Sequence, residues 1–248
     1  MTRPLIFAAN WKMHLTPAET RAFAAAFLEG FVARPGCAYW FFPSAVSIEA
    51  AAGALAGAPG VAVGAQDVYW EPKGAFTGAT SVPLALGAGA TLALVGHSER
   101  RHVFGETEAD TARKLKASIG GGLRPLLCVG EQLGEREAGT TELVVLRQLR
   151  AGLDGLEPAA LARVVIAYEP VWAIGTGKTA TPGDAALVHQ AIRSALTALG
   201  HPEPRVLYGG SVNQANAAAL LAEPEIDGVL VGGASLDPAG WAKIVAAG

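Results

Sequence analysis

The chain has 248 residues, 51% of them apolar and 17% charged, with a formal net charge of −3. That composition excludes a mainly disordered chain, and the scattered Lys and Arg offer no block for nucleic acid or a membrane surface. The length suits either two ordinary domains or one large α/β barrel.

Both cysteines, Cys37 and Cys128, lie in apolar runs and read as core packing; a single possible pair is no disulfide framework, and no Cys/His spacing suits zinc. The first apolar run, Leu5–Ala9, is stopped at once by Asn10-Trp11-Lys12, so it is not read as a signal peptide. No apolar stretch is long enough to cross a bilayer, and a soluble cytoplasmic protein is expected.

In chain order, the first strand is predicted at Leu5–Ala9. Thr16-Pro17-Ala18-Glu19 then resembles a capping box with Pro at the first helical position, and Gly30 is placed to end that helix. The second strand is Cys37–Phe42, with Ser44 as the next N-cap; the third is Val61–Ala65 and the fourth Thr91–Val95. Gly120 is expected to close a helix before the fifth strand, Pro125–Val129. After the sixth, Val164–Tyr168, the run Thr181-Pro182-Gly183-Asp184 opens a helix that Gly200 ends. Arg205–Tyr208 and Ile226–Val231 complete the strands, and Asp237 caps the last helix. Several strands are nearly continuous Val, Ile, Leu and Ala, the pattern of parallel strands covered on both faces. Eight such units with no linker between them predict an α/β fold, a single (β/α)8 barrel over residues 1–248. A doubly wound open sheet is the alternative, but its Gly-x-Gly-x-x-Gly after the first strand is absent.

Catalytic groups of a barrel project from the C-terminal ends of its strands, because the strand middles are packed. The unusual polar residues fall at those ends: Asn10 and Lys12 after the first strand, His97-Ser98-Glu99 after the fourth, Glu169 after the sixth, Gly209-Gly210-Ser211 after the seventh and Gly232-Gly233 after the eighth. Each alone is weak, since a lone His or Glu there is usually structural and Gly pairs are usually turns. Five at one end of five strands point to an active site. Glu169, between Tyr168 and Pro170-Val171-Trp172, sits in an apolar setting that raises a carboxylate's pKa and makes it a better base. His97 is placed to exchange a proton at a carbonyl, and Lys12 adds positive charge for an anionic substrate or a developing enolate. Ser211 and the amides of Gly232 and Gly233 suit a phosphate.

Gly177-Lys178-Thr179 imitates the end of a phosphate-binding P-loop, but Trp172 stands where the first Gly of that motif is required. A lid over the site is the better reading, with Pro170-Val171-Trp172 and Gly175-Thr176-Gly177 flanking the tip Ala173-Ile174. A simple glycine-containing loop is the alternative.

At these residues the chain resembles the triosephosphate isomerases. The run Ala167 to Lys178 matches the family's base-and-lid signature, and Asn10-Trp11-Lys12-Met13, Gly96-His97-Ser98-Glu99-Arg100-Arg101 and Cys128-Val129-Gly130-Glu131 are similar to its other motifs. Tyr208-Gly209-Gly210-Ser211-Val212 and Gly232-Gly233-Ala234-Ser235-Leu236 resemble its phosphate loops. The resemblance implies a TIM barrel and the glycolytic and gluconeogenic interconversion of dihydroxyacetone phosphate and glyceraldehyde 3-phosphate, without cofactor or metal. It implies that Glu169 moves the proton, that His97, with Glu99 in support, polarises the carbonyl, and that Asn10 and Lys12 stabilise the enediolate. Gly175, Ser211, Gly232 and Gly233 would then grip the phosphate beneath the lid Pro170-Val171-Trp172-Ala173-Ile174-Gly175-Thr176-Gly177-Lys178. The family's histidine acts neutral beside a helix N-terminus, a case that is itself a standard worked example. The loop from Gln66 to Thr80 resembles the one that enters a neighbouring subunit, with Thr77 near its tip, so a homodimer is implied. His14 stands where the family commonly has Asn, Ala8-Ala9 replaces a more usual Gly, and the second strand ends Phe42-Pro43-Ser44. Two alternatives are another phosphate-binding barrel isomerase, which lacks the lid sequence and Asn-x-Lys, and a non-catalytic barrel, which would lack Glu169, His97 or Lys12.

Overall fold

The structure, a computed structural model, describes residues 4–174 and 180–248. Eight parallel strands close on themselves in sequence order. They are β1 (Ile6–Asn10), β2 (Ala38–Phe42), β3 (Val61–Ala65), β4 (Leu92–Val95), β5 (Arg124–Val129), β6 (Val165–Tyr168), β7 (Val206–Tyr208) and β8 (Gly228–Val231). The closing pair runs from Ile6 opposite Gly228 to Ala9 opposite Val231. Every predicted strand is present, the third with its bounds unchanged and the others with a bound moved by one or two residues. Helices follow the strands, so the α/β barrel expected from the alternating pattern is the fold observed.

Strand side chains divide by alternation. Ile6, Ala8, Trp40, Phe42, Leu92, Leu94, Leu126, Cys128, Ala167, Leu207 and Leu230 form a cluster made of strand residues alone, which fills the barrel. Phe7, Ala9, Tyr39 and Phe41 point the other way, onto Phe23 and Phe27 of the helix Pro17–Glu29. Gly64 makes room for Phe42, since a Cβ there would overlap its ring.

The helix signals hold with two corrections. Thr16 and Glu19 form the reciprocal capping box, Thr181 accepts from the Asp184 N–H at 3.1 Å, and Asp237 accepts from the Gly240 N–H at 2.8 Å. Ser44 precedes a short 3-10 turn, Ala45–Ser47, without a side-chain cap bond. Gly120 does not end its helix. The chain stays helical over Glu108–Gly121 and turns at Gly122, whose φ of 105° is the left-handed conformation that favours glycine at a helix end. Gly200, φ 85°, turns the chain after Pro182–Ala198, and the His201 N–H reaches back to the Leu196 carbonyl at 2.9 Å. Among the described residues no helix is long and apolar enough to cross a membrane.

Candidate active site

The C-terminal mouth of the barrel collects the polar residues expected there. Asn10 closes β1, and its Nδ2 lies 3.2 Å from His97 Nε2 while its Oδ1 accepts from the Lys12 N–H at 3.0 Å. Lys12 has a φ of 50°, a conformation uncommon outside glycine. That cost is offset by bonds on both sides of the residue: Asn10 holds its N–H, and Gln66 donates to its carbonyl at 2.8 Å. The backbone turn aims Nζ at Glu99 Oε1, 2.7 Å away.

His97 follows β4 and is buried. Its Nδ1 accepts from the Glu99 N–H at 3.3 Å, so in the neutral ring the proton belongs on Nε2. That nitrogen is 2.9 Å from Glu169 Oε1. The other carboxylate oxygen, Oε2, accepts from the Ser98 N–H at 2.9 Å. Burial opposes the charged form of His97, but the Glu169 carboxylate, and Glu99 behind it, outweigh burial and raise its pKa. Glu169 answers in the opposite direction. Its burial is nearly complete, at 2% exposure, yet His97, the Ser98 N–H and Lys12 outweigh that desolvation and lower its pKa. The burial expected of Glu169 is therefore present, while the expected upward shift is reversed by partners from the ends of the fourth and first strands.

Around these groups lies a cavity of about 320 Å³ lined by Asn10, Lys12, His97, Glu169, Ile174, Ser211, Gly232 and Gly233, among others. Gly209 is required beside the carboxylate, since a Cβ there would come within 2.9 Å of Glu169 Cγ. The Asn216 amide braces Ser211 at its carbonyl, 2.9 Å. Gly233 opens a 3-10 turn, Gly233–Ser235, whose first N–H groups have no partner within the turn. A larger cavity of about 610 Å³ shares Asn10, Lys12 and His97 and extends to Thr80, Phe104 and Lys114.

The first residues of the expected lid, Pro170 to Ile174, are tied to β5. The Val171 N–H donates to the Glu131 carbonyl at 3.0 Å, and Trp172 Nε1 and Tyr168 Oη donate to the Glu131 carboxylate at 2.8 and 3.1 Å. Arg136 lies 4.7 Å over the Trp172 ring. Gly175, Thr176, Gly177 and Lys178 lie outside the described residues. Thr77 sits on the exposed tip of the 66–80 loop, whose base is closed by the Tyr69 N–H on the Thr80 carbonyl at 2.8 Å. Two contributors escaped the sequence reading, the Ser98 N–H and the Gln66 amide. A backbone donor leaves no mark in a sequence, and a single Gln has many bland uses. Among the described residues no group of three His, Cys, Asp or Glu is placed to hold a metal ion.

Fold and site together define a (β/α)8 barrel with a buried histidine–carboxylate pair, a lysine and glycine-rich loops at its C-terminal mouth. The sequence profile of the triosephosphate isomerases matches residues 5–248. Proteins named triosephosphate isomerase from Moorella thermoacetica, Symbiobacterium thermophilum and Solibacter usitatus are 48%, 47% and 47% identical to the chain. Each match spans 99% of the chain, and 98%, 97% and 99% of those relatives respectively. The chain belongs to the triosephosphate isomerase family, and with it to the isomerases.

Proposed function

We propose the following reading of the site. The reaction is the interconversion of dihydroxyacetone phosphate and glyceraldehyde 3-phosphate through an enediolate. The observation that carries it is the meeting of a buried carboxylate, Glu169, with His97 and Lys12 in one cavity that ends on Ser211 and Gly232-Gly233. Glu169 takes the proton from the carbon beside the carbonyl. The electron pair moves into the carbon–carbon bond, and the carbonyl oxygen becomes the enediolate oxygen. His97, with its proton on Nε2, and Lys12 and Asn10 stabilise that oxygen, and His97 moves protons between the two oxygens. Glu99 holds Lys12 in place. Glu169 returns its proton to the neighbouring carbon.

Glu169 is docked on His97 and Ser98. Substrate takes over His97, the carboxylate swings away from both partners, and its burial then outweighs the remaining pull of Lys12. Burial alone raises its pKa, so the base strengthens when it is needed. Gly175, Ser211, Gly232 and Gly233 hold the phosphate, and residues Pro170 to Lys178 close over it, keeping water from an enediolate prone to eliminate phosphate.

The protein is a cytoplasmic homodimer of single-domain subunits, each domain spanning 1–248, and it has no nucleic-acid or membrane partner. Supporting the dimer, Met13, Val46, Val103, Phe104 and Leu84 are exposed at 94%, 76%, 72%, 66% and 63%. Met13 and Phe104 line the larger cavity together with Gly78 and Thr80 of the 66–80 loop. Tyr69 stiffens that loop by packing on Trp70 and Phe76, with ring centroids 4.1 and 4.6 Å apart. A coupled assay of triose phosphate interconversion tests the reading, and a folded dimer without turnover contradicts it.

A further inference from the structure

The end of β5 lies directly against the proposed base. The Glu169 N–H donates to the Val129 carbonyl at 2.8 Å and the Val171 N–H to the Glu131 carbonyl at 3.0 Å, so the ladder from β5 to β6 continues past both strands. Between those two carbonyls sits Gly130. It touches the Glu169 backbone so closely that a Cβ at position 130 would overlap the Glu169 carbonyl. The N–H and C=O of Gly130 face the other way, toward β4. There β4 has already ended: its last residue, Val95, pairs with Leu127. Side chains replace the missing strand. Arg101 donates to the Cys128 carbonyl at 3.1 Å. Gln148 accepts from the Gly130 N–H at 2.8 Å and donates to the Gly130 carbonyl at 3.0 Å.

A primary amide carries one donor and one acceptor side by side, as a strand edge does, so one side chain satisfies both backbone groups of Gly130. Gln148 is 5% exposed and lies on the buried face of the helix Thr141–Leu153, among Val144, Val145, Leu149 and Leu153. A polar group is costly on such a face unless it is fully bonded, and this one is bonded twice to the residue that packs on Glu169.

We infer that Gln148 is a positioning residue for the reaction: by clasping both backbone groups of Gly130 it fixes the surface against which the Glu169 backbone rests. This rests on Glu169 being the base. A small displacement of the base costs turnover more than it costs binding, because Ser211 and Gly232-Gly233, proposed to hold the phosphate, follow the seventh and eighth strands.

The test compares Gln148→Met, Gln148→Glu and Glu169→Gln with the unsubstituted dimer. Gln148→Met keeps the side-chain length and removes both bonds. Its kcat is expected to fall by about 10- to 100-fold with KM changed less than about twofold. An unchanged kcat, or a KM that rises in step with the loss, overturns the inference. Where the Met variant does not fold, Gln148→Glu decides. A carboxylic acid offers the same donor and acceptor as the amide, and a carboxylate lacks the donor. Its kcat relative to the unsubstituted protein should rise on going from about pH 8 to about pH 6, and a constant ratio overturns the inference. Glu169→Gln in the same assay separates the two failures. If it is as active as the parent, the base is misassigned. If it is inactive while Gln148→Met is fully active, only the role of Gln148 falls.

Discussion

Glu169 is held by partners that outweigh the effect of its own burial. The linkage has a sign that can be measured. Its folded pKa is lowered from 4.5, so its contribution to stability is present above that value and is lost as pH falls through the folded pKa. The pKa of His97 is raised from 6.5, so its contribution is present below that value and is lost as pH rises through the folded pKa. The pair stabilises the folded protein most between those two ordinary values. Thermal melts of Glu169→Gln should therefore show their largest deficit against the parent in that window and a smaller one at either side. A deficit that is flat with pH contradicts the ion pair. Glu169→Asp draws the carboxylate back by about an ångström, and kcat should drop by about 100-fold or more, with KM changed far less.

At the scale of elements, the order and type of the strands were open to reading because each is a short run of apolar residues bounded by turn residues. Caps were readable where a side chain does the work. Thr181 precedes Pro182 and lies three residues before Asp184, and its hydroxyl accepts the Asp184 N–H. Thr181→Ala should cost about 1 kcal/mol of stability, read as a lower midpoint in denaturant melts. No loss would mean that the cap is idle. Gly120 misled because two further glycines follow it, and the chain turns at the one whose left-handed φ the next strand requires. The identities at the mouth were also readable, since Asn10, Lys12, His97 and Glu169 are anomalous at the ends of apolar strands. The shift of Glu169 was not, because it is set by a backbone N–H at Ser98 and by the geometry of His97. Gln148 did leave a trace, a polar residue at an apolar position of its helix, and only the three-dimensional partner gives that trace meaning.

For the molecule as a whole, the exposed Met13 and Phe104 line a flank of the mouth in a larger cavity that shares Asn10, Lys12 and His97 with the proposed site. A second copy of the chain covers that flank in the proposed dimer, so assembly and activity are joined. Sedimentation at micromolar concentration should give about twice the 25.3 kDa of one chain. Phe104→Glu, which buries a charge in the proposed contact, should shift the protein toward monomer and lower turnover together. A monomeric parent with full turnover contradicts the dimer. The proposed chemistry comes down to one carboxylate that carries the proton between adjacent carbons. It is tested most directly by following the substrate by NMR in deuterated water. The parent should place deuterium on the carbon beside the carbonyl, and Glu169→Gln, folded and still binding a phosphorylated enediolate mimic, should place none. Exchange that persists in that variant contradicts the account.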